Sequence, residues 1–321
     1  MFYLAFKDVH PCWPLIGCAL IYGLIATLGI ILNSSVVLVT LLTKSFRGTV
    51  NYLLALCSLF EMVHQSGHFL FVYTAFSGQN FIEYRLAAKI LFIPAIGIGG
   101  IAPTMFFTGI DRLIGIAFSE IHDKLKTRLY LAMLTVISVA YGFLFSVVNW
   151  QQANQDGDLM VTGAYIDALK IISLFVAINF LLILMTFAIY LVLGITICAK
   201  TAGLPSADSF NRRTFRALFC IITVNIGGYF ITLIAYILLS PPNASPVTAF
   251  FCALMATIPL NIAAVSNGPI LYFTSTEYRQ AFEMIPFVLK RTPNQNQVAP
   301  QQNAPPIHFI AQSRIINSSQ P

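Results

Sequence analysis

The chain has 321 residues, of which 57% are hydrophobic and only 9% charged, against roughly 25% charged in soluble domains. That balance excludes an ordinary soluble globular protein, because runs of about 20 apolar residues, each able to cross a ~30 Å hydrocarbon core, recur along the sequence. The net charge of +6 gathers in short loops, so it reports membrane topology and excludes nucleic acid as the expected partner.

The first apolar run, Pro14 to Leu42, lacks the basic n-region of a cleaved signal and is long enough to span and stay. Apolar continuity and polar interruptions predict helices at 14–42, 50–75, 87–117, 128–149, 167–199, 214–239 and 247–273. The expected fold is an all-α membrane protein, a seven-transmembrane helix bundle over 14–273 after a short N-terminal segment at 1–13. Pro94, Gly97, Gly99, Gly100, Pro103, Pro259 and Pro269 lie inside these spans. They are compatible with a bundle, where neighbouring helices satisfy freed backbone groups.

Lysine and arginine set the orientation. Lys44 and Arg47 follow helix 1, Lys124, Lys126 and Arg128 follow helix 3, and Lys200, Arg212, Arg213 and Arg216 follow helix 5. Arg279, Lys290, Arg291 and Arg314 lie in the tail. The opposite face carries Lys7, Arg85, Lys89 and Lys170 together with Asp156 and Asp158. The positive-inside bias places the N-terminus outside and the tail in the cytoplasm. Residues 292–321 are rich in Pro, Gln and Asn and read as a disordered tail, with Ser318 and Ser319 as phosphorylation candidates against an inert-tail reading. Asn243-Ala244-Ser245 fits a glycosylation sequon in the outer loop before helix 7, crowded by Pro246.

The six cysteines show no pairing pattern, and most lie in apolar runs where a thiol is plain core. Only Cys12 and Cys252 fall near one face, which leaves a disulfide between them as an option.

Glu61 sits in the middle of helix 2, where a carboxylate must find a partner or be protonated. Asn33 in helix 1 and Asn261, Ser266 and Asn267 in helix 7 are its candidate partners. A functional polar nest and a protonated carboxyl holding helices together are equal readings of it. His64, Gln65 and His68 continue the same stripe at helical spacing. A histidine pair four residues apart needs a third strong ligand to hold zinc. The remaining histidines (10, 122, 308) lie outside the spans, so neither metal nor cofactor is expected. Asp111 and Arg112 stand at the cytoplasmic end of helix 3. An ordinary snorkelling pair is the bland reading; the sharper one is an arginine held by its neighbour at rest and released to a partner when the bundle opens.

Several landmarks occur in order: Gly29 and Asn33 in helix 1, Asn51 ten positions before Glu61 in helix 2, Asp111-Arg112-Leu113, and Pro269-Ile270-Leu271-Tyr272. Together they resemble rhodopsin-like G-protein-coupled receptors. The fuller phrases Gly109-Ile110-Asp111-Arg112-Leu113-Ile114 and Ser275-Thr276-Glu277-Tyr278-Arg279-Gln280-Ala281-Phe282, with Leu54-Ala55 through Glu61, His64 and His68, resemble nematode serpentine chemoreceptors of the srsx type over about residues 15–285.

The resemblance implies ligand binding in the outer half of the bundle, outward movement of helix 6 and docking of a heterotrimeric G protein. It implies that Arg112 contacts the G protein, that Asp111 restrains it, and that Tyr272 and Tyr190 rearrange on activation, with Leu113 and Pro269 in the same coupling set. Glu61 would take the acidic position of the family's sodium site, with Asn33 and Asn267 near it. Residues 274–290 would form a short cytoplasmic amphipathic helix, and the receptor would reside in a plasma membrane, including sensory cilia, among membrane lipids.

The chain departs from the receptor pattern in four places. Ala87 stands 25 residues before Arg112 and the 150–166 loop has no cysteine, so the usual outer disulfide is absent. Gly268 replaces the usual Asn before the helix-7 proline. The base of helix 6, Asn211-Arg212-Arg213-Thr214, offers Arg112 no acid. Gly227-Gly228 stands in for the common Trp-x-Pro hinge. A weaker resting restraint is therefore expected.

Candidate ligand contacts are His64, His68, Phe69 and Tyr73 in helix 2, Asn179 in helix 5, Asn225, Tyr229 and Tyr236 in helix 6, and Asn261 in helix 7; Asp167 and Lys170 sit at the outer mouth. For the aromatics, core packing is the competing role. Helix 3 is uncharged between Lys89 and Asp111, so a neutral or acidic small molecule or peptide is expected over an amine. Three rival classes remain. A seven-helix ligand-gated cation channel of the insect olfactory type would invert the observed charge bias. A small-solute transporter would show repeated halves. An intramembrane hydrolase would need a G-x-S-x-G or H-E-x-x-H set that is missing. The expected protein is a non-enzymatic chemosensory receptor.

Overall fold

The computed structural model describes residues 2–118, 120, 122, 127–156, 158–169, 173–201, 209–239 and 243–291. The basic positions Lys124 and Lys126, Lys170 at the outer mouth, and the tail from 292 lie outside them. The main unit, residues 1–283, is a bundle of seven crossings; the stretch 284–321 is described only to residue 291.

The elements follow in chain order: α1 (Phe2–Phe6), α2 (Trp13–Leu42), α3 (Thr49–Ser66), α4 (His68–Phe76), β1 (Ile82–Glu83), α5 (Tyr84–Ile90), α6 (Phe92–Ala117), α7 (Thr127–Gln155), β2 (Met160–Val161), α8 (Tyr165–Ala168), α9 (Ser173–Thr201), α10 (Ser209–Leu239), α11 (Pro246–Val265), α12 (Asn267–Thr274) and α13 (Thr276–Arg291). Six helices are each long and apolar enough to cross a membrane; the remaining crossing is α3 with α4. This is a multi-pass membrane protein. Leu20, Leu24, Leu28 and Ile31 of α2 are exposed at helical spacing, forming the stripe that lipid covers.

The predicted spans are present, with breaks where local chemistry demands them. The third breaks at Leu91, because Pro94 has no N–H for the carbonyl of Ile90. The seventh breaks at Ser266, four residues before Ile270 and beside Pro269, whose missing N–H frees the carbonyl of Val265. The second breaks at Gly67. A Cβ there would strike the Tyr165 hydroxyl and come within 2.8 Å of Pro94 Cβ, so only glycine lets the loop and the third span approach this turn.

The fourth helix runs six residues past its expected end, to Gln155. The fifth begins at Ser173 and not at 167, because Asp167 belongs to the separate turn α8, where its carboxylate accepts from Thr162 N at 2.7 Å and Thr162 Oγ1 at 3.1 Å. The sixth starts at Ser209, five residues earlier than its apolar run.

Small residues set the depth of packing. A Cβ on Gly97 of α6 would lie 2.7 Å from the backbone O of Phe60 and N of His64, and one on Gly99 2.6 Å from Gly142 Cα. The third span therefore sits backbone-to-backbone against the second and fourth, as small residues permit in membranes. That contact turns Glu61 and His64 inward.

The segment between the fourth and fifth spans folds down onto the bundle. β2 pairs antiparallel with β1, Ile82 opposite Val161 and Glu83 opposite Met160. Thr74 Oγ1 donates to the carbonyl of Thr162, and Tyr165 donates its hydroxyl to the carbonyl of His64 at 2.6 Å. These bonds hold the segment in the absence of a disulfide there, as the missing cysteines lead one to expect; Ala87 is fully buried beneath it. Cys12 and Cys252 are both free, so the pairing suggested by their shared face is not made. Asn243 lies exposed in the turn before α11, whose N-cap is Ser245 accepting from Thr248 N at 3.1 Å.

Candidate functional site

Among the described residues, cavities open toward both ends of the bundle. The larger, about 480 Å³, lies among the second, third, fifth, sixth and seventh spans toward the end that holds the β1–β2 pair. The smaller, about 200 Å³, lies at the opposite end and is lined by Arg112, Asn51, Leu54, Ala217, Leu271 and Tyr278, among others.

Of the sequence-predicted contacts, His64, His68, Asn179, Asn225, Tyr229 and Asn261 line the larger cavity, and Tyr236 reaches its edge. Tyr73 is 60% exposed and Phe69 41%, both turned out of the bundle. They follow the Gly67 break, which shifts the stripe that α4 presents inward. Residues that the sequence did not single out complete the wall: Tyr22, Phe71, Phe145, Tyr165, Phe180 and Thr257. Tyr22 and Tyr165 frame the histidines, with ring centroids 5.0 Å (Tyr22–His68), 5.3 Å (Tyr165–His64) and 4.8 Å (Tyr165–His68). Burial pushes the Tyr165 hydroxyl well above the ordinary phenol range, so it stays a neutral donor.

At the floor, Glu61 is 2% exposed and its Oε2 meets His64 Nδ1 at 3.3 Å. This replaces the expected partners. Asn261 is taken by His68, Oδ1 to Nε2 at 2.7 Å. Asn33 donates to the carbonyls of Gly29 (3.0 Å) and Ala264 (3.1 Å). Asn267 Nδ2 donates to Asn33 Oδ1 at 3.5 Å, and Asn225 Nδ2 to Asn267 Oδ1 at 3.3 Å. A line of amides thus joins the first, seventh and sixth spans without Glu61. Ser266 bonds its own helix at Ala263 O, 2.6 Å.

At the other end, Asp111 is fully buried. Its Oδ2 accepts from Arg112 Nη2 at 3.2 Å and Thr49 Oγ1 at 2.9 Å, and its Oδ1 meets His122 Nε2 at 3.2 Å. Thr49 and His122 were not legible as partners, because one comes from the start of the second span and the other from a loop. Leu113 packs against the core cluster that holds Tyr190. The Tyr190 hydroxyl is buried and has no hydrogen-bond partner among the described residues. Tyr272 reaches Glu283 Oε1 at 3.4 Å. Tyr278 of α13 stacks on Phe46 (centroids 4.4 Å) and donates to Asn51 Oδ1 at 3.3 Å, which seats the start of α13 under the second span. Arg212 and Arg213 lie where side chains are outside the described residues.

Among the described residues, no cluster of three or more His, Cys, Asp or Glu has the arrangement of a metal site. What the arrangement offers is an aromatic-walled cavity with one acid at its floor, and a guanidinium held at the far end.

A family model described as serpentine type 7TM GPCR chemoreceptor Srsx matches residues 26–285. No curated protein matches the chain.

Proposed function

The chain belongs to the serpentine 7TM GPCR chemoreceptor family Srsx, and on that premise we propose that it binds an extracellular small molecule or peptide in the larger cavity and activates a heterotrimeric G protein at the Arg112 end. In this reading the N-terminus is extracellular and the Arg112 end faces the cytoplasm, as Lys44, Arg47 and Arg128 favour. The protein then acts in a plasma membrane, with sensory cilia as its place of work.

The observation that carries the proposal is that single helices wall both cavities, α10 among them beside α3 and α6. α10 contributes Asn225 and Tyr229 to the larger and Ala217 to the smaller. A ligand pressing on Tyr229 moves the same rigid element that borders Arg112, and a packed element passes such a shift along its length. The amide line from Asn225 through Asn267 to Asn33 ties α10 to the break at Ser266 beside Pro269, so movement of α10 also works on the seventh span. Arg112 would then leave Asp111 for the G protein, and Tyr190, with its unpartnered hydroxyl, and Tyr272 would repack around it.

The test is G-protein dissociation in cells expressing the receptor, challenged with odorant-like molecules and peptides beside an Arg112→Ala variant matched for surface expression. A response lost in the variant supports the proposal. A ligand-gated current that persists in the variant and without G proteins replaces it with the channel reading.

A further inference from the structure

The polar atoms at the floor of the larger cavity have a common bias, which shows when each hydrogen bond is assigned by donor and acceptor. Asn261 spends its Nδ2 on the carbonyl of Thr257 at 3.0 Å, so its Oδ1 faces His68 Nε2 at 2.7 Å. An amide oxygen only accepts, so that Nε2 carries the proton and the Nδ1 of His68 is a bare acceptor. Glu61 Oε2 accepts from His64 Nδ1, which leaves the Nε2 of His64 a bare acceptor too. Asn225 commits its Nδ2 to Ile221 O and Asn267 Oδ1, and Asn179 commits its Nδ2 to Phe175 O and Tyr141 Oη. Each is left with an amide oxygen. Tyr165 has already donated to His64 O.

Glu61 completes the set. It lines the cavity, is 98% buried by its 2% exposure, and its Oε1 has no hydrogen-bond partner among the described residues. No lysine or arginine lines the cavity among the described residues. Glu61 is the one acid of the described lining, its side chain meeting only His64 Nδ1 there, at 3.3 Å, among the described residues, in a site walled by aromatic rings. A carboxylate taken out of water is stabilised chiefly by a paired cation, and an ionisable group at membrane depth marks a ligand or ion path. The hydroxyls of Tyr229 and Thr232, which can donate or accept, add no opposing bias.

We propose that the ligand is a small organic cation, a primary or secondary amine on an apolar body, whose N–H groups bond Glu61 Oε1 and the bare imidazole nitrogens while the body lies against the aromatic wall. This rests on the larger cavity being the ligand site. It reverses the expectation drawn from the uncharged third span, because the acid comes from the second span instead.

The test uses purified full-length receptor in phosphatidylcholine nanodiscs and reads the shift in its thermal unfolding, which needs no G protein. Matched probe sets carry one apolar body (phenylethyl, cyclohexylethyl or octyl) with an ammonium, a hydroxyl or a carboxylate head. The expected result is saturable stabilisation by ammonium members, weakened at least about tenfold by Glu61→Gln, since truncating a buried charged partner is costly, and partly restored in Glu61→Asp, which keeps the charge. Stabilisation by the hydroxyl or carboxylate members alone, or by ammonium members indifferent to Glu61→Gln, overturns the cationic class and leaves the cavity as the site. Stabilisation that persists in Ile101→Phe, which narrows the cavity, or its absence with every probe, removes the cavity reading itself.

Discussion

His122 Nε2 lies 3.2 Å from Asp111 Oδ1, while Thr49 Oγ1 holds the other oxygen at 2.9 Å. The carboxylate beside Arg112 is therefore anchored from a loop and from the second span. The base of helix 6 offers no acid, and this anchored carboxylate is the acid that Arg112 meets among the described residues. Asp111→Asn removes the charge that holds the guanidinium, and basal nucleotide exchange should rise by about tenfold, within the usual range of coupling energies. His122→Ala should raise it less, in the same direction. Exchange by the reconstituted receptor with purified G protein measures both; unchanged basal rates would show that Arg112 is held some other way.

Gly67→Ala should displace Tyr165 from His64, because the added Cβ meets the Tyr165 hydroxyl. Overpacking of this kind costs about 1–3 kcal/mol. A lowered melting temperature checks it, and a Gly67→Ala/Tyr165→Phe double variant should recover only part, because the ring carbon and Pro94 Cβ still crowd the added Cβ.

Asn33→Ala leaves Asn267 Nδ2 without its acceptor and removes two bonds to backbone carbonyls of the first and seventh spans. A loss of about 1–2 kcal/mol is expected, the range for polar contacts between membrane helices. Thermal unfolding of the purified receptor reads it, and Asn33→Ser should recover only part.

The 160–168 segment should loosen as pH rises. Burial raises the Asp167 carboxyl to about 7 from its ordinary 3.8, outweighing the Thr162 bonds that favour the charged form. A raised folded-state value means the folded segment holds the proton more tightly than the unfolded one. Its contribution is complete below about pH 4, falls as pH climbs, and is gone above about pH 7. Hydrogen exchange of residues 160–168 between pH 5 and 8, corrected for intrinsic rates, should show falling protection, and Asp167→Asn should flatten the profile.

Much of the architecture was readable from the chain alone. Span length and apolar continuity are local properties, so the seven crossings and the Asp111-Arg112 pair at one end could be placed in one dimension, whereas the breaks beside Pro94 and Pro269 were not foreseen. The helical stripe of Glu61, His64 and His68 was likewise visible, because spacing along a helix determines which residues share a face.

Which atoms those residues meet was decided only by the tertiary structure. His68 and Asn261 are 193 positions apart, and their contact depends on how far each helix is rotated. That rotation follows from backbone contact at Gly97, Gly99 and Gly142 and from the break at Gly67, which turned Tyr73 out of the bundle and brought Tyr165 in. Glu61 went to His64 on its own helix because Asn33, Asn261 and Asn267 were already committed across helices. Patterning along a chain states what must be buried. Close packing between helices, in which each polar group has few partners within reach, settles who is buried beside whom.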